Sequence, residues 1–207
     1  MDDLPPAFDR EMTVGEFLDA RPNLPDAGQW AELEAGRVVL HPPAEVHHGD
    51  VVGNVSAAMG RYVSDHPGTG ISLFRQPLQI PAAAGATVRV PAMSWVSGPA
   101  GFAAMDAAVL TEPPPWVVEI AGHRGIRNAM ADRSRDYLAW GVRLVWIIDP
   151  DEKYVFAVTA AGGTKSTGDE LASAAPVVED FAVPVAPLFR EPESWSVSSR
   201  NGHARTE

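Results

Sequence analysis

The chain has 207 residues, 45% of them hydrophobic, no cysteine and a formal net charge of −11. That length supports one domain with a buried core and demands no second, and the missing cysteine excludes disulfides and thiolate metal sites. No apolar run reaches membrane-spanning length, the start Met1-Asp2-Asp3-Leu4 is unlike a signal peptide, and a cytoplasmic protein with no general electrostatic grip on nucleic acid is expected.

Residues 1–11 carry Pro5-Pro6 and no periodicity and read as a flexible lead-in to a domain over 12–189. Thr13-Val14-Gly15-Glu16 is a capping box that starts a short helix ending before Pro22. Trp30 to Glu34 and Arg37 to His41 read as two short strands about Ala35-Gly36. Between Val46 and Ser64, Val51, Val52, Val55, Ala58, Met59, Tyr62 and Val63 step by three and four, the stripe of an amphipathic helix stopped by Pro67-Gly68. Three or four strands follow, Ile71–Arg75, Leu78–Ile80, Val88–Val90 and Met93–Val96, with a hairpin turn near Gly85.

Residues 98–115 form a Gly/Ala/Pro-rich connection with one helical turn near Phe102–Met105. Trp116 to Ala121 is nearly all apolar, as in a central strand covered on both faces. A helix over Ile126–Trp140 ends at Gly141, and Val142–Ile148 is the strongest strand pattern in the chain. Asp149-Pro150-Asp151-Glu152 then turns into a last hairpin strand, Tyr154–Val158, and the polar residues 190–207 read as a disordered tail. The order predicts an α/β (α+β) fold, a mixed central sheet flanked by helices.

Few residues break these patterns in a way that suggests chemistry. Glu119 lies inside the apolar strand, where an unpaired carboxylate is costly. Met130, Arg133 and Tyr137 are spaced three and four, so Arg133 either points inward with them or decorates an amphipathic surface. Arg133 belongs to the densest basic stretch, with Arg124, Arg127, Arg135 and Arg143, in a chain with only two lysines, Lys153 and Lys165. His47-His48 precede the long helix as caps or surface residues, and Trp116, Trp140 and Trp146 suit the core.

Several segments, taken in order, resemble one family. They are Met12-Thr13-Val14-Gly15-Glu16-Phe17, Glu32-Leu33-Glu34-Ala35-Gly36-Arg37-Val38-Val39, His48 followed by Gly53-Asn54-Val55, and Val88-Arg89-Val90-Pro91. Further on come Trp116-Val117-Val118-Glu119-Ile120, Tyr137-Leu138-Ala139-Trp140-Gly141-Val142, Val145-Trp146-Ile147-Ile148-Asp149-Pro150 and Phe181 through Phe189. Each is weak alone; the ordered set resembles the Uma-type family of restriction endonucleases in the PD-(D/E)xK nuclease superfamily.

The resemblance implies a restriction-endonuclease-like core, DNA as partner, and Mg²⁺ (or Mn²⁺)-dependent phosphodiester hydrolysis at one end of the central strands. It is also compatible with a homodimer. Its first carboxylate is expected after Pro91, where this chain has Ala92; its second maps to Glu119, and its lysine to Arg133. Glu32 and His48 match the family pattern, Glu32 and Glu119 being the metal-ligand candidates that remain. Mg²⁺ wants carboxylate oxygens in near-octahedral array, and alanine offers none. Arginine can balance charge but stays protonated, so Arg133 cannot act as a base. Glu119 is then either a residual ligand or the ion-pair partner of Arg133. The reading is a nuclease-like protein with impaired catalysis. The alternatives are a non-enzymatic domain that kept the fold to bind nucleic acid or protein, and an active nuclease with Glu32, Asp106 or His123 substituting for the lost ligand.

Overall fold

The computed structural model describes residues 4–42, 46–98, 100–121 and 124–191. Helix α1 (Val14–Ala20) opens on the expected box: the Glu16 amide donates to Thr13 Oγ1 at 3.2 Å, and the Thr13 amide donates to Glu16 Oε2 at 2.8 Å. Strands β1 (Ala31–Glu34) and β2 (Arg37–Leu40) form the expected hairpin. Its turn residues Ala35 and Gly36 both take positive φ, 49° and 81°. Glycine adopts that region freely, and it is what a two-residue hairpin turn requires.

Helix α2 (Val46–Asp65) is followed by β3 (Gly70–Phe74), β4 (Leu78–Ile80), β5 (Thr87–Arg89) and β6 (Met93–Ser97). Helix α3 (Ala100–Met105) supplies the short helical turn, and β7 (Trp116–Ile120), α4 (Arg124–Trp140) and β8 (Leu144–Asp149) lie close to their expected bounds. Strand β9 (Tyr154–Thr159) is not the last. It pairs with β10 (Gly162–Thr167), and β11 (Leu171–Ser173) pairs with β12 (Ala182–Pro184). The sequence hides β10 because Gly-Gly-Thr-Lys-Ser-Thr has no apolar alternation; as an edge strand it is exposed but for Ser166.

The predicted mixed sheet has six strands in the order β10-β9-β8-β7-β6-β3. Its parallel pair is β7–β8, joined by α4 as the crossover; the other pairs are antiparallel. The N-terminal hairpin does not join it but forms a second, antiparallel sheet, β2-β1-β5-β4.

Alternation along the central strands separates two cores. Trp116, Val118 and Ile120 of β7, with Leu144, Trp146 and Ile148 of β8, pack with Val51, Val55 and Met59 of α2 and with Phe181 and Leu188. Val117, Ala121, Val145 and Ile147 pack on the other face with Met130 and Tyr137 of α4. A third cluster, around Phe17, Leu33 and Val88, fixes the second sheet. His47 and His48 lie within the first turn of α2 rather than before it. Trp116 and Trp146 are core as expected, whereas Trp140 is only half-buried and lines a cleft of about 660 Å³ with Arg89 and Asp136.

Candidate functional site

Glu119 has the same strand parity as Val117 and Ala121, so it faces α4 rather than α2. On α4 the buried residues Met130, Arg133, Ser134 and Tyr137 recur at helical spacing, which brings Arg133 and Tyr137 to that carboxylate. Glu32 arrives from β1 in the second sheet. Three charged side chains thus meet in the interior: Glu32 is 2% exposed, Glu119 5% and Arg133 7%.

Arg133 lies between the two carboxylates. Its Nη1 donates to Glu32 Oε2 at 2.6 Å and its Nη2 to Glu32 Oε1 at 2.9 Å. Nε and Nη2 also donate to Glu119 Oε1 at 3.0 and 2.6 Å. Tyr137 adds its hydroxyl to the same Glu119 oxygen at 2.7 Å. Glu32 further accepts the Val90 amide on Oε1 at 2.6 Å and meets His41 Nε2 from Oε2 at 3.0 Å. Two carboxylate oxygens offer about four lone-pair positions, and Glu32 meets four hydrogen-bonding groups plus Arg89 at 3.5 Å.

Electrostatics follow from this packing. Burial pushes the Glu32 carboxyl up, but the Arg133 charge and hydrogen bonds from Arg133 and His41 hold it well below the ordinary carboxylate range. Burial works against the Arg133 charge too, and Glu119 and Glu32 outweigh it, so the guanidinium stays protonated at any ordinary pH. Burial, and then Glu119, push the Tyr137 phenol well above its usual value, so it is a donor and never an anion here.

Outside this centre, Arg89 joins Glu34 and also reaches Asp136 at 3.5 Å, linking β5 and β1 to α4. Ala92 sits at a bend just before β6. Continuing the β6–β7 register (Met93 opposite Val118) puts it level with Glu119. Its methyl is buried in the core cluster that also holds Met93, Trp95 and α2 residues. His48 is half-buried, with its ring edge-on to Trp30 at 6.1 Å between centroids. Burial, reinforced by Arg75, lowers its pKa to about 4. Arg75, just past β3, holds its guanidinium 4.3 Å from the Trp30 ring centroid.

The structure therefore gathers Glu32, Glu119 and Arg133 directly and places His48 at their periphery beside Arg75. Asp106 is exposed after α3, and His123 lies outside the described residues. Arg135 and Arg143 are exposed, so these two arginines of the basic stretch stand away from the centre that Arg133 enters. His41, Arg89, Arg75 and Trp30 were missed by sequence reasoning. Arg89 carried a signal, a charge in the middle of Val88-Arg89-Val90; the other three stand at element ends, where pattern is silent.

A family model described as "Uma2: Putative restriction endonuclease" matches residues 16–186. Among solved structures, the chain is similar to one described as a putative nuclease belonging to DUF820 from Anabaena variabilis. The two share 18% identity and a TM-score of 0.67 over 83% of this chain and 96% of the other, a likeness of fold. No curated protein matches the chain.

Proposed function

The chain belongs to the Uma2 restriction-endonuclease family, and we propose that it keeps the family's nuclease scaffold with a centre that no longer binds the catalytic cation or cleaves DNA. One observation carries this reading: Arg133 occupies the space between Glu32 and Glu119 and bonds to both. A hard divalent ion draws its affinity from anionic oxygens with free lone pairs. Glu32 has its oxygens filled, and Ala92 supplies none. Among the described residues no three acidic or histidine side chains gather in a group able to hold a metal ion. The residues present do not fit Mg²⁺ or Mn²⁺.

Arg133, Tyr137 and Glu32 supply no free base either. Arg133 is locked in its charged form, Tyr137 in its neutral form, and Glu32 is a hydrogen-bonded anion far below neutral pH. Glu32 as a substitute ligand is disfavoured for the same reason: it would have to leave Arg133, Val90 and His41 at once. What remains is an internal ion-pair cluster that staples β1, β7 and α4 together, on a fold whose relatives meet DNA.

The test is plasmid cleavage with added Mg²⁺ or Mn²⁺. The unmodified chain is expected to leave supercoiled DNA intact. Nicking by wild type above that of a Glu119→Gln control would overturn the proposal. Cleavage gained by A92D/R133K would identify the two lost groups.

A further inference from the structure

Helix α4 continues past the buried ion-pair cluster along the second sheet. One turn beyond Arg133 it presents Asp136, and one turn further Trp140, to the cleft of about 660 Å³. Glu34 stands two residues after Glu32 on β1 and so shares the side of the sheet that meets α4, while Leu33 and Val88 point away into the third core cluster. Arg89 of β5 lies between, joined to Glu34 and 3.5 Å from Asp136. The opposite wall is the small-residue run 82–84 after β4, with Ile80 behind it. A space of this size suits a small organic molecule.

The charges lining it leave a deficit. Arg89 is the cation of the cleft, set against the two carboxylates of Glu34 and Asp136. Its charge is also drawn inward, since its Nη1 is 3.5 Å from Glu32 Oε2 as well. Each cleft carboxylate spends one oxygen on Arg89: Glu34 uses Oε1 and Asp136 uses Oδ2. Glu34 Oε2 and Asp136 Oδ1 take no hydrogen bond or ion pair from any described residue. Both side chains are open to a ligand, at 42% and 49% exposure. Trp140 follows Asp136 by one helical turn, so its half-buried ring flanks the same space.

We propose that this cleft is a binding site for a small organic cation, an amidinium, guanidinium or ammonium group carried on an apolar body. The open oxygens of Glu34 and Asp136 accept its N–H donors, and Trp140 packs against its apolar body and its charge. A phosphate would meet two carboxylates there, so the ligand class is distinct from nucleic acid. The site is also independent of whether the Glu32–Arg133–Glu119 centre holds a metal.

The experiment is a titration of the full chain with benzamidine, followed through the Trp140 indole N–H signal in NMR spectra and assigned with W140F. Benzamide, its uncharged analogue, is the control. Benzamidine is expected to shift the Trp140 signal saturably, and benzamide to bind at least about tenfold more weakly. D136N should weaken benzamidine about fivefold, and E34Q by a similar factor. Should either variant fail to fold, salt serves on wild type: added NaCl should weaken benzamidine and leave benzamide unchanged. No shift at Trp140, a response at Trp30 in its place, equal binding of benzamide, or undiminished binding by folded D136N overturns the cation site.

Discussion

Replacing Arg133 with methionine removes the shared partner of two buried carboxylates while keeping an unbranched apolar stem. Four hydrogen bonds between 2.6 and 3.0 Å disappear, and Glu32 and Glu119 are left facing each other in the interior. Breaking a buried ion pair from one side costs about 3–5 kcal/mol, because the orphaned charge remains. For a chain of this size that is a fall in Tm of about 6–20 °C at neutral pH. The cost has a pH signature. In wild type the Glu32 carboxyl sits well below its ordinary value of 4.5, so its stabilisation is complete above that pH and is lost as the pH drops through the folded value. Without Arg133, burial dominates and the carboxyl takes up a proton more readily, so acid relieves the variant while it harms wild type. The gap between the two melting curves, followed by tryptophan fluorescence from pH 7 down to pH 4, is therefore expected to narrow. A loss under about 1 kcal/mol at pH 7, the range of an exposed pair, would refute the buried-cluster argument.

Three further effects follow from single contacts. The His48 ring has its pKa lowered from 6.5 to about 4, so the unfolded chain binds its proton first and acid removes up to about 3 kcal/mol of stability between those values. An NMR titration of His48, assigned with H48Q, should show no charging at pH 6; a midpoint above 6 contradicts the packing against Trp30 and Arg75. Gly28 has a φ of 67°, and an added Cβ would lie 2.4 Å from the Arg21 carbonyl oxygen, which is backbone and cannot swing away. Gly28→Ala is expected to cost about 1–3 kcal/mol in urea melts, and a neutral result would show that this turn moves freely. Thr13→Ala removes one side of the capping box and should cost about 1 kcal/mol in the same assay.

The fold was legible where one physical pattern acts alone. Helix α2 was read from its three-four stripe, and β7 and β8 from apolar runs that two-sided burial requires. Strands β10 to β12 escaped because an edge strand and a small peripheral pair bury little, so selection for apolar alternation is weak there. The division into two sheets was invisible as well: β1 pairs with β5 through one register point, Leu33 opposite Val88, across more than fifty residues. At the site, Glu119 announced itself as a charge in an apolar strand, and the three-four spacing of Arg133 and Tyr137 allowed the inward orientation they take. Glu32 gave no such sign, since Glu32 and Glu34 both stand in β1 and only the tertiary fold decides which is buried. Arg75 and Trp30 meet across sequence, and no local periodicity encodes a cation placed on a ring.

The two departures that the family resemblance implies, Ala92 and Arg133, can be read under the proposed function as one electrostatic change, and that makes them testable as a pair. With alanine at 92, two carboxylates remain, and one arginine with donors toward both can satisfy them without a metal. Restoring aspartate alone adds a buried charge where a methyl now packs, so A92D should lose stability whether or not Mg²⁺ is present. R133K alone gives up the fork that spans Glu32 and Glu119, and a single ammonium cannot replace those four bonds. In A92D/R133K a third carboxylate is available while the plug is weaker, so the double variant should be less unstable than the two losses added together. It should also be stabilised by Mg²⁺, by about 2.7 kcal/mol at a concentration a hundredfold above its Kd, or about 5–11 °C in Tm. Wild type should show no such rise. An equal Mg²⁺-dependent rise in wild type, or strict additivity with no rise in the double variant, would mean that Ala92 and Arg133 changed for unrelated reasons and that the centre is not a cation site closed by arginine.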